Sequence, residues 1–530
     1  MAFAHEYLDA VLHRGRDGMP PRNFQPDWAD APRQTKLYRG LDTIELPATV
    51  DGDASLRAAF TAEGGTGTAG FTMESLSGML LESYGRLARR IEINANDDLD
   101  KVQSYRSAKF ARGTASGGGL YPVSIYWVAG PSAPVTPGVY YYNSPQHGIQ
   151  RLLSGDVSGQ VAAALEAAGS DAVTTDQFLL LGLKFWQNAF KYNSFSYHAT
   201  TMDVGTVVQT WRLWAGARNL EVRPAFWFDE IRLGELIGSD PDDEGIFAVV
   251  PLAWDGGSHG PASSPARSSV RHTDEERSRT VLRFELLQAI HADTRTGADQ
   301  RPVPEALAPA TALPAGDGQR LPLGPADFGP AGVSEALHGR RSSFGEFSAL
   351  RRLTRAELST VLAAAETGAA LPCDLSGADG QGLGLVKFHV FVNHVEDVEP
   401  GIYEYVPDTG ELALVKAGSY GTFLQRNYFL NNYNLEQAGA VVVPVVRGNE
   451  VIDAVGPRGY RLVNALVGSV AQAVYTASSG IGVGCGAALG FDNISYMEEL
   501  GLEDSHEQPL LILMVGHERG RFAGCRFENS

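Results

Sequence analysis

Five short segments carry side chains able to do chemistry. The first is Thr114-Ala115-Ser116-Gly117-Gly118-Gly119-Leu120-Tyr121-Pro122, just ahead of an apolar run, VSIYWVA. Consecutive glycines let a backbone approach a flat ligand, and the Ser116 hydroxyl can donate to a carbonyl or ring nitrogen. A flexible turn before a strand reads the same way. The second, Arg340-Arg341-Ser342-Ser343, sets two forked guanidiniums beside two hydroxyls, a donor set suited to phosphate. A solvated basic stretch is its plainer alternative. The third is a glycine-rich run from Gly480 to Gly490-Phe491-Asp492. Its backbone N–H groups could meet a cofactor ring, or it could be a helix C-cap and tight turn. The fourth is Lys191-Tyr192, among aromatic residues. Desolvation lowers the proton affinity of a lysine and could make it a base, with Tyr192 as its partner, whereas a surface lysine beside a core tyrosine needs no such role. The fifth, His517-Glu518-Arg519-Gly520-Arg521, is a second possible anion contact or a charged tail.

Other chemistries find no support. HExxH, H-x-E…CxxC, EF-hand and P-loop patterns are missing, the run from Gly480 to Gly490 holds no strict GxGxxG, and the 12 histidines are scattered, so no metal site is expected. Cys373, Cys485 and Cys525 are too few and too far apart for a disulfide framework or structural zinc. A net charge of −19 argues against nucleic acid as a partner. The N-terminus lacks an apolar signal core and no apolar run approaches a membrane span, so the expectation is a soluble, cytoplasmic protein.

The elements that must position these groups are announced twice. GVYYYNSPQHGIQRLLSGD begins at Gly138 and GIYEYVPDTGELALVKAG at Gly401, each an alternating strand, a turn and a second strand. Tyr197 and Tyr460, Gly205 and Gly468, Gln209 and Gln472, and Phe228-Asp229 and Phe491-Asp492 keep the same spacing of 263 positions. A constant offset across such different textures predicts two copies of one α+β domain. Each should hold a hairpin, a long apolar helix near 201–218 or 462–478, a loop and a last strand at 246–252 or 510–516. The expected domains are 1–262, a linker over 263–332, and 333–530. The linker should carry a helix with Val281, Phe284, Leu287 and Ile290 on one face, opening the second half. Tandem copies suggest a former homodimer in which one of two equivalent sites has decayed. The first half has the Ser-Gly-Gly loop and Lys-Tyr pair but no RRS; the second has RRS and the glycine-rich loop but neither of the others.

Together TASGGGLYPVSIYWV, PGVYYYNSPQHGIQRL, KYNSFSYHATTMDVGTVVQ, RRSSFGEFS and ALGFDNISYMEELGL resemble the nitroreductase-like flavoproteins. More closely they resemble the SagB-type dehydrogenases, azoline oxidases of thiazole/oxazole-modified peptide biosynthesis. The resemblance implies a tandem nitroreductase fold forming an intramolecular pseudo-dimer around one FMN. It implies a phosphate clamp at Arg340, Arg341 and Ser342 with Arg519 or Arg521 behind. Leu489 and Gly490 would back the isoalloxazine, Ser116, Gly117 and Gly118 would form the facing loop, and Lys191 and Tyr192 would be catalytic. Phe344 stands where the family's RRS-x-R has its last Arg, and Leu489 where a polar residue is usual. The implied reaction is oxidation of thiazoline or oxazoline to thiazole or oxazole on a ribosomally made precursor peptide, with O2 as acceptor and a cyclodehydratase as partner. Further homodimerisation is compatible with this. The alternatives are NAD(P)H-driven reduction of a nitro, ene or dehydroamino-acid group, or an inactive peptide-binding scaffold.

Overall fold

The computed structural model describes residues 2–48, 52, 54–61, 67–91, 93–99, 101–105, 109–170, 173–257, 259–262, 268–376, 382–520 and 525–528. Two antiparallel sheets organise it. The first runs in the order Thr43–Glu45, Gly148–Ser154, Gly138–Asn143, Val123–Ala129, Gln177–Lys184, Glu244–Pro251. The second runs Arg320–Pro322, Glu411–Ala417, Gly401–Val406, Val386–Val392, Ala440–Val446, Ile512–Gly516, Gly484–Ala488, with Gln508–Pro509 also paired to Ala440–Val446. Arg320–Pro322, inside the segment read as linker, is thus an edge strand of the second sheet.

Side chains alternate across a strand, and here both faces are covered. Ile125 and Trp127 face one core with the long helices; Tyr126 and Val128 face another with Val161, Leu165 and Leu233. This double burial explains the nearly unbroken apolar runs in the central strands. The second sheet repeats the pattern, Val390 and Val442 on one side, Phe391, Val441 and Val443 on the other.

The long helices span Ser196–Gly216 and Gly459–Gly480, a few residues beyond the predicted limits at most ends. Nearly every residue of both is buried, as expected of helices enclosed on all sides. They pack on each other through reciprocal glycines. A Cβ on Gly205 would lie 1.9 Å from the Ala465 carbonyl oxygen, and one on Gly468 would lie 1.9 Å from that of Met202. Met202 and Ala465 are themselves 263 positions apart, so the contact is self-complementary about a local two-fold relation. Beside it Glu230 pairs with Arg458 at 2.8 Å and Arg461 at 2.7 Å. Burial alone would raise the pKa of Glu230, but Arg461 and Arg458 overcome it and hold it at about 2.

The halves also exchange arms. Helix Phe3–His13 lies on the second half, where His5 meets Asn449 Oδ1 at 2.9 Å, and Arg14, just past the helix, donates to Asn493 Oδ1 at 2.7 Å. The predicted linker helix is Glu285–Arg295, and it lies against the first half, its His291 ring stacked 5.9 Å from Phe247. Only Leu287 and Ile290 of the predicted face are helical core; Phe284 precedes the helix and Val281 is exposed.

Gly205→Ala and Gly468→Ala should each destabilise the chain by about 1–3 kcal/mol or more, because a methyl group there strikes rigid backbone. Gly216→Ala, at the end of the same helix with nothing within 4 Å of the added carbon, is the control and should cost nothing. Urea denaturation of the three variants measures the difference.

Candidate functional site

The Ser-Gly-Gly loop enters strand Val123–Ala129, and its conformation is imposed by one carboxylate. Ser116 Oγ donates to Asp203 Oδ2 at 2.7 Å and Gly117 N donates to Asp203 Oδ1 at 2.9 Å. Tyr121 N donates back to Ser116 Oγ at 2.9 Å. Gly118 then turns left-handed, with φ 65°. A Cβ there would lie 2.2 Å from the Tyr192 hydroxyl and 2.8 Å from Lys191 Nζ, so the loop backbone rests on the Lys-Tyr pair. Lys191 closes helix Trp186–Tyr192 and donates from Nζ to the Tyr192 hydroxyl at 2.7 Å.

Burial, helped by the nearby Asp203 charge, pushes the Tyr192 phenol well above its ordinary value and keeps it protonated. Burial likewise raises the Asp203 carboxyl, to about 7, although Ser116 and Gly117 pull the other way. Asp203 is the residue that motif reading passed over. Its signal was present, because position 466, its counterpart 263 residues on, is Leu.

The second half reaches into this loop with two side chains. Gln472 accepts from Ala115 N at 2.8 Å and donates to Gly113 O at 3.0 Å. Arg340 donates from Nε to Gly113 O at 2.9 Å and from Nη2 to Arg112 O at 2.9 Å and Thr114 O at 3.3 Å. The RRSS segment and the Ser-Gly-Gly loop are therefore neighbours, and at least two nitrogens of Arg340 are committed to holding that loop. Arg341 pairs with Glu518 at 2.5 Å and Glu346 at 2.7 Å, and Ser343 Oγ donates to Glu518 Oε1 at 2.6 Å. Ser342 Oγ meets the Tyr475 hydroxyl at 2.9 Å, and Phe344 packs its ring 4.8 Å from that of Tyr433. Arg519 pairs with Asp98 at 2.5 Å. Arg521 lies outside the described residues.

The glycine-rich run contains a strand as well as a turn. Gly482 does cap the long helix, at φ 71°, but Gly484–Ala488 pairs with Ile512–Gly516. Gly486 admits the Tyr433 ring, which would lie 2.4 Å from an added Cβ. The equivalent first-half residues, Glu221–Ala225, include Pro224, which has no N–H to donate, and make a single bridge, Ala225 to Val249.

Beyond the strand the halves differ most. In the first, Phe226 N and Trp227 N donate to the Asp374 carboxylate at 3.0 and 2.9 Å, and the Trp227 side chain is fully buried. In the second, the matching N–H groups of Leu489 and Gly490 find no acceptor among the described residues, and an added Cβ on Gly490 meets nothing nearer than 3.7 Å. Tyrosines gather beside this edge. Tyr475 accepts from Ala487 N at 2.9 Å and lies 5.3 Å under the Arg340 guanidinium; Tyr428 bridges to Phe491 and its ring lies 5.9 Å from that of Tyr433. Among the described residues no group of His, Cys, Asp and Glu could hold a metal ion, and no helix is long and apolar enough to cross a membrane.

The donor set fits a flavin. Two unanswered backbone N–H groups suit the hydrogen-bonding edge of an isoalloxazine, and Ser116, Gly117 and Gly118 would face its plane. Arg340, Arg341, Ser342 and Ser343 already meet partners within the chain: the carbonyls of 112–114, Glu346, Glu518 and Tyr475.

The family model for nitroreductases matches residues 337–517. The match takes in most of the second half, which is thus similar to that family. "Putative nitroreductase MJ1384" of Methanocaldococcus jannaschii is 28% identical over 133 residues, 25% of this chain, and the match spans 65% of that relative's length. The crystal structure of a "putative nitroreductase" from Anabaena variabilis, 21% identical, superposes on 98% of this chain and 100% of its own with a TM-score of 0.70. The nitroreductase-like α+β fold thus extends through both halves. A chain of the E. coli microcin synthetase McbBCD complex with truncated pro-MccB17 bound, 15% identical, covers 41% of this chain and 88% of its own at a TM-score of 0.28, too low to carry weight.

Asp203 titrates between about 3.8 unfolded and about 7 folded, so its ionisation cost grows across that window and native stability falls as pH rises through it. Asp203→Asn removes the titration at a pH-independent cost to the Ser116 and Gly117 bonds. The stability difference between wild type and variant should shift in favour of the variant from pH 4 to pH 7, with a slope of up to about 1.4 kcal/mol per unit. A difference that stays flat across this range contradicts the assignment.

Proposed function

We propose that the chain is an FMN-dependent dehydrogenase that oxidises azolines to azoles on a ribosomally made peptide, with one flavin site per chain. In this reading it is a tandem duplication, roughly 1–262 and 333–530 joined by 263–332, folded as an intramolecular pseudo-dimer. The observation that carries the reading is the placement of Lys191 and Tyr192 against Gly118, on a loop anchored by Arg340 and Gln472 of the half that bears the open Leu489 and Gly490 N–H groups. The asymmetry supports a single site, since Asp374 and Trp227 fill the other.

Leu489 and Gly490 would hold the flavin ring, and Arg340, Arg341 and Ser342 would hold its phosphate, with Arg519 or Arg521 behind. When bound, FMN supplies the two-electron acceptor and dioxygen takes the electrons on. The protein's task is to orient the ring substrate and remove a proton from its carbon. Tyr192 is kept protonated by burial, so within the pair Lys191, once neutral, is the group that can accept that proton. Tyr192 fixes Nζ through the 2.7 Å bond and leaves its own O–H to donate onward. The peptide would arrive from a cyclodehydratase in the same compartment.

The test begins with a visible spectrum and FMN quantification per chain. Aerobic incubation with a thiazoline-bearing peptide should then yield the azole, two hydrogens lighter by mass spectrometry, without NAD(P)H. Bleaching by NADPH together with inertness toward azolines favours the reductase alternative, and a colourless protein that takes up no FMN favours a scaffold. Lys191→Ala should keep its FMN and lose about 10²–10⁴-fold in turnover; undiminished turnover removes Lys191 from the mechanism.

A further inference from the structure

We propose that the Glu518 carboxylate is a resident competitor for the flavin phosphate, so that the site accepts the phosphorylated cofactor only when Glu518 gives way. This rests on the flavin reading above and concerns its phosphate end alone. Arg341 and Ser343 both turn toward Glu518, at 2.5 and 2.6 Å. The arrangement is built into the backbone. Glu518 is fixed by a bridge to Phe347, and Ser343 by donation from its N–H to Cys485 O at 2.9 Å. Gly484 leaves the space the pair needs, since a Cβ there would lie 2.7 Å from Glu518 Cγ and 2.8 Å from Ser343 Oγ.

A carboxylate and a phosphate are both acceptors when ionised, so they cannot satisfy one another, and like charges side by side repel. The other cations in reach are also matched, Arg341 by Glu346 as well, Arg519 by Asp98, and Arg340 by three carbonyls. Phe344 adds no charge. An arriving phosphate dianion therefore has to displace Glu518 from two charge-assisted hydrogen bonds, whereas a flavin ending in a hydroxyl can leave them intact. Glu518 therefore offsets the affinity that the 5′-phosphate would otherwise add, and the site takes FMN and the unphosphorylated flavin about equally.

The test is titration of the full chain, freed of any bound flavin, with riboflavin and with FMN, followed by flavin fluorescence, for wild type and Glu518→Gln. Wild type should bind riboflavin about as well as FMN. Glu518→Gln should tighten FMN by at least about tenfold, the scale of one charged hydrogen bond, and leave riboflavin unchanged, which also certifies that the variant is folded. An unchanged or weakened FMN-to-riboflavin ratio in the variant overturns the role of Glu518 while the flavin reading stands. If neither flavin binds either protein, both are overturned.

Discussion

The interaction on which the rest depends is the crossing of the two long helices, where Gly205 and Gly468 let each backbone touch the other. That approach brings Gln472 and Arg340 of one half within reach of residues 112–115 of the other. The carbonyls of 112–114 and Ala115 N are satisfied by Arg340 and Gln472 of the other half, while Ala115 O accepts from Thr206 and the tip is held by Asp203 of its own half. Separating the halves by the thickness of a methyl group would leave a buried guanidinium and a buried amide without partners, which costs far more than their bonds contribute when made.

The two halves differ sharply in one place. Backbone N–H groups 263 positions apart meet different surroundings. Those of Phe226 and Trp227 both donate to the Asp374 carboxylate, and the Trp227 side chain is buried. Those of Leu489 and Gly490 have no acceptor among the described residues. A buried polar group has to be paired, so unanswered donors beside the Lys-Tyr pair's loop are a stronger basis for a candidate site than any motif alone.

Charge inside the site is managed by neighbours rather than by exposure. Asp203 stays in a poor environment for a carboxylate because it organises Ser116 and Gly117, and Tyr192 remains a phenol partly on its account. At the other end Glu518 answers Arg341 and Ser343. The two ends therefore differ in kind: one holds protonatable groups against the Ser-Gly-Gly loop, the other holds cations already paired.

Much was legible in the sequence. The offset of 263 positions located the hairpins, both long helices and both terminal strands, because period-2 and period-3.6 burial is written locally in residue types. The Ser-Gly-Gly loop, RRSS and Lys191-Tyr192 were visible as unusual compositions. Other features were not local. The run at 480–490 reads as a turn, yet neighbouring strand Ile512–Gly516 makes Gly484–Ala488 an edge strand. The helix at 285–295 packs on the half before it, and 320–322 belongs to the sheet after it. Arg340 looks like a phosphate ligand by type, but its partners are carbonyls more than 200 residues away. Residue types and spacing determined which elements form and which groups are capable of chemistry. Only the tertiary structure decided which donors were already answered, because hydrogen-bond satisfaction depends on what the rest of the chain brings within 3 Å.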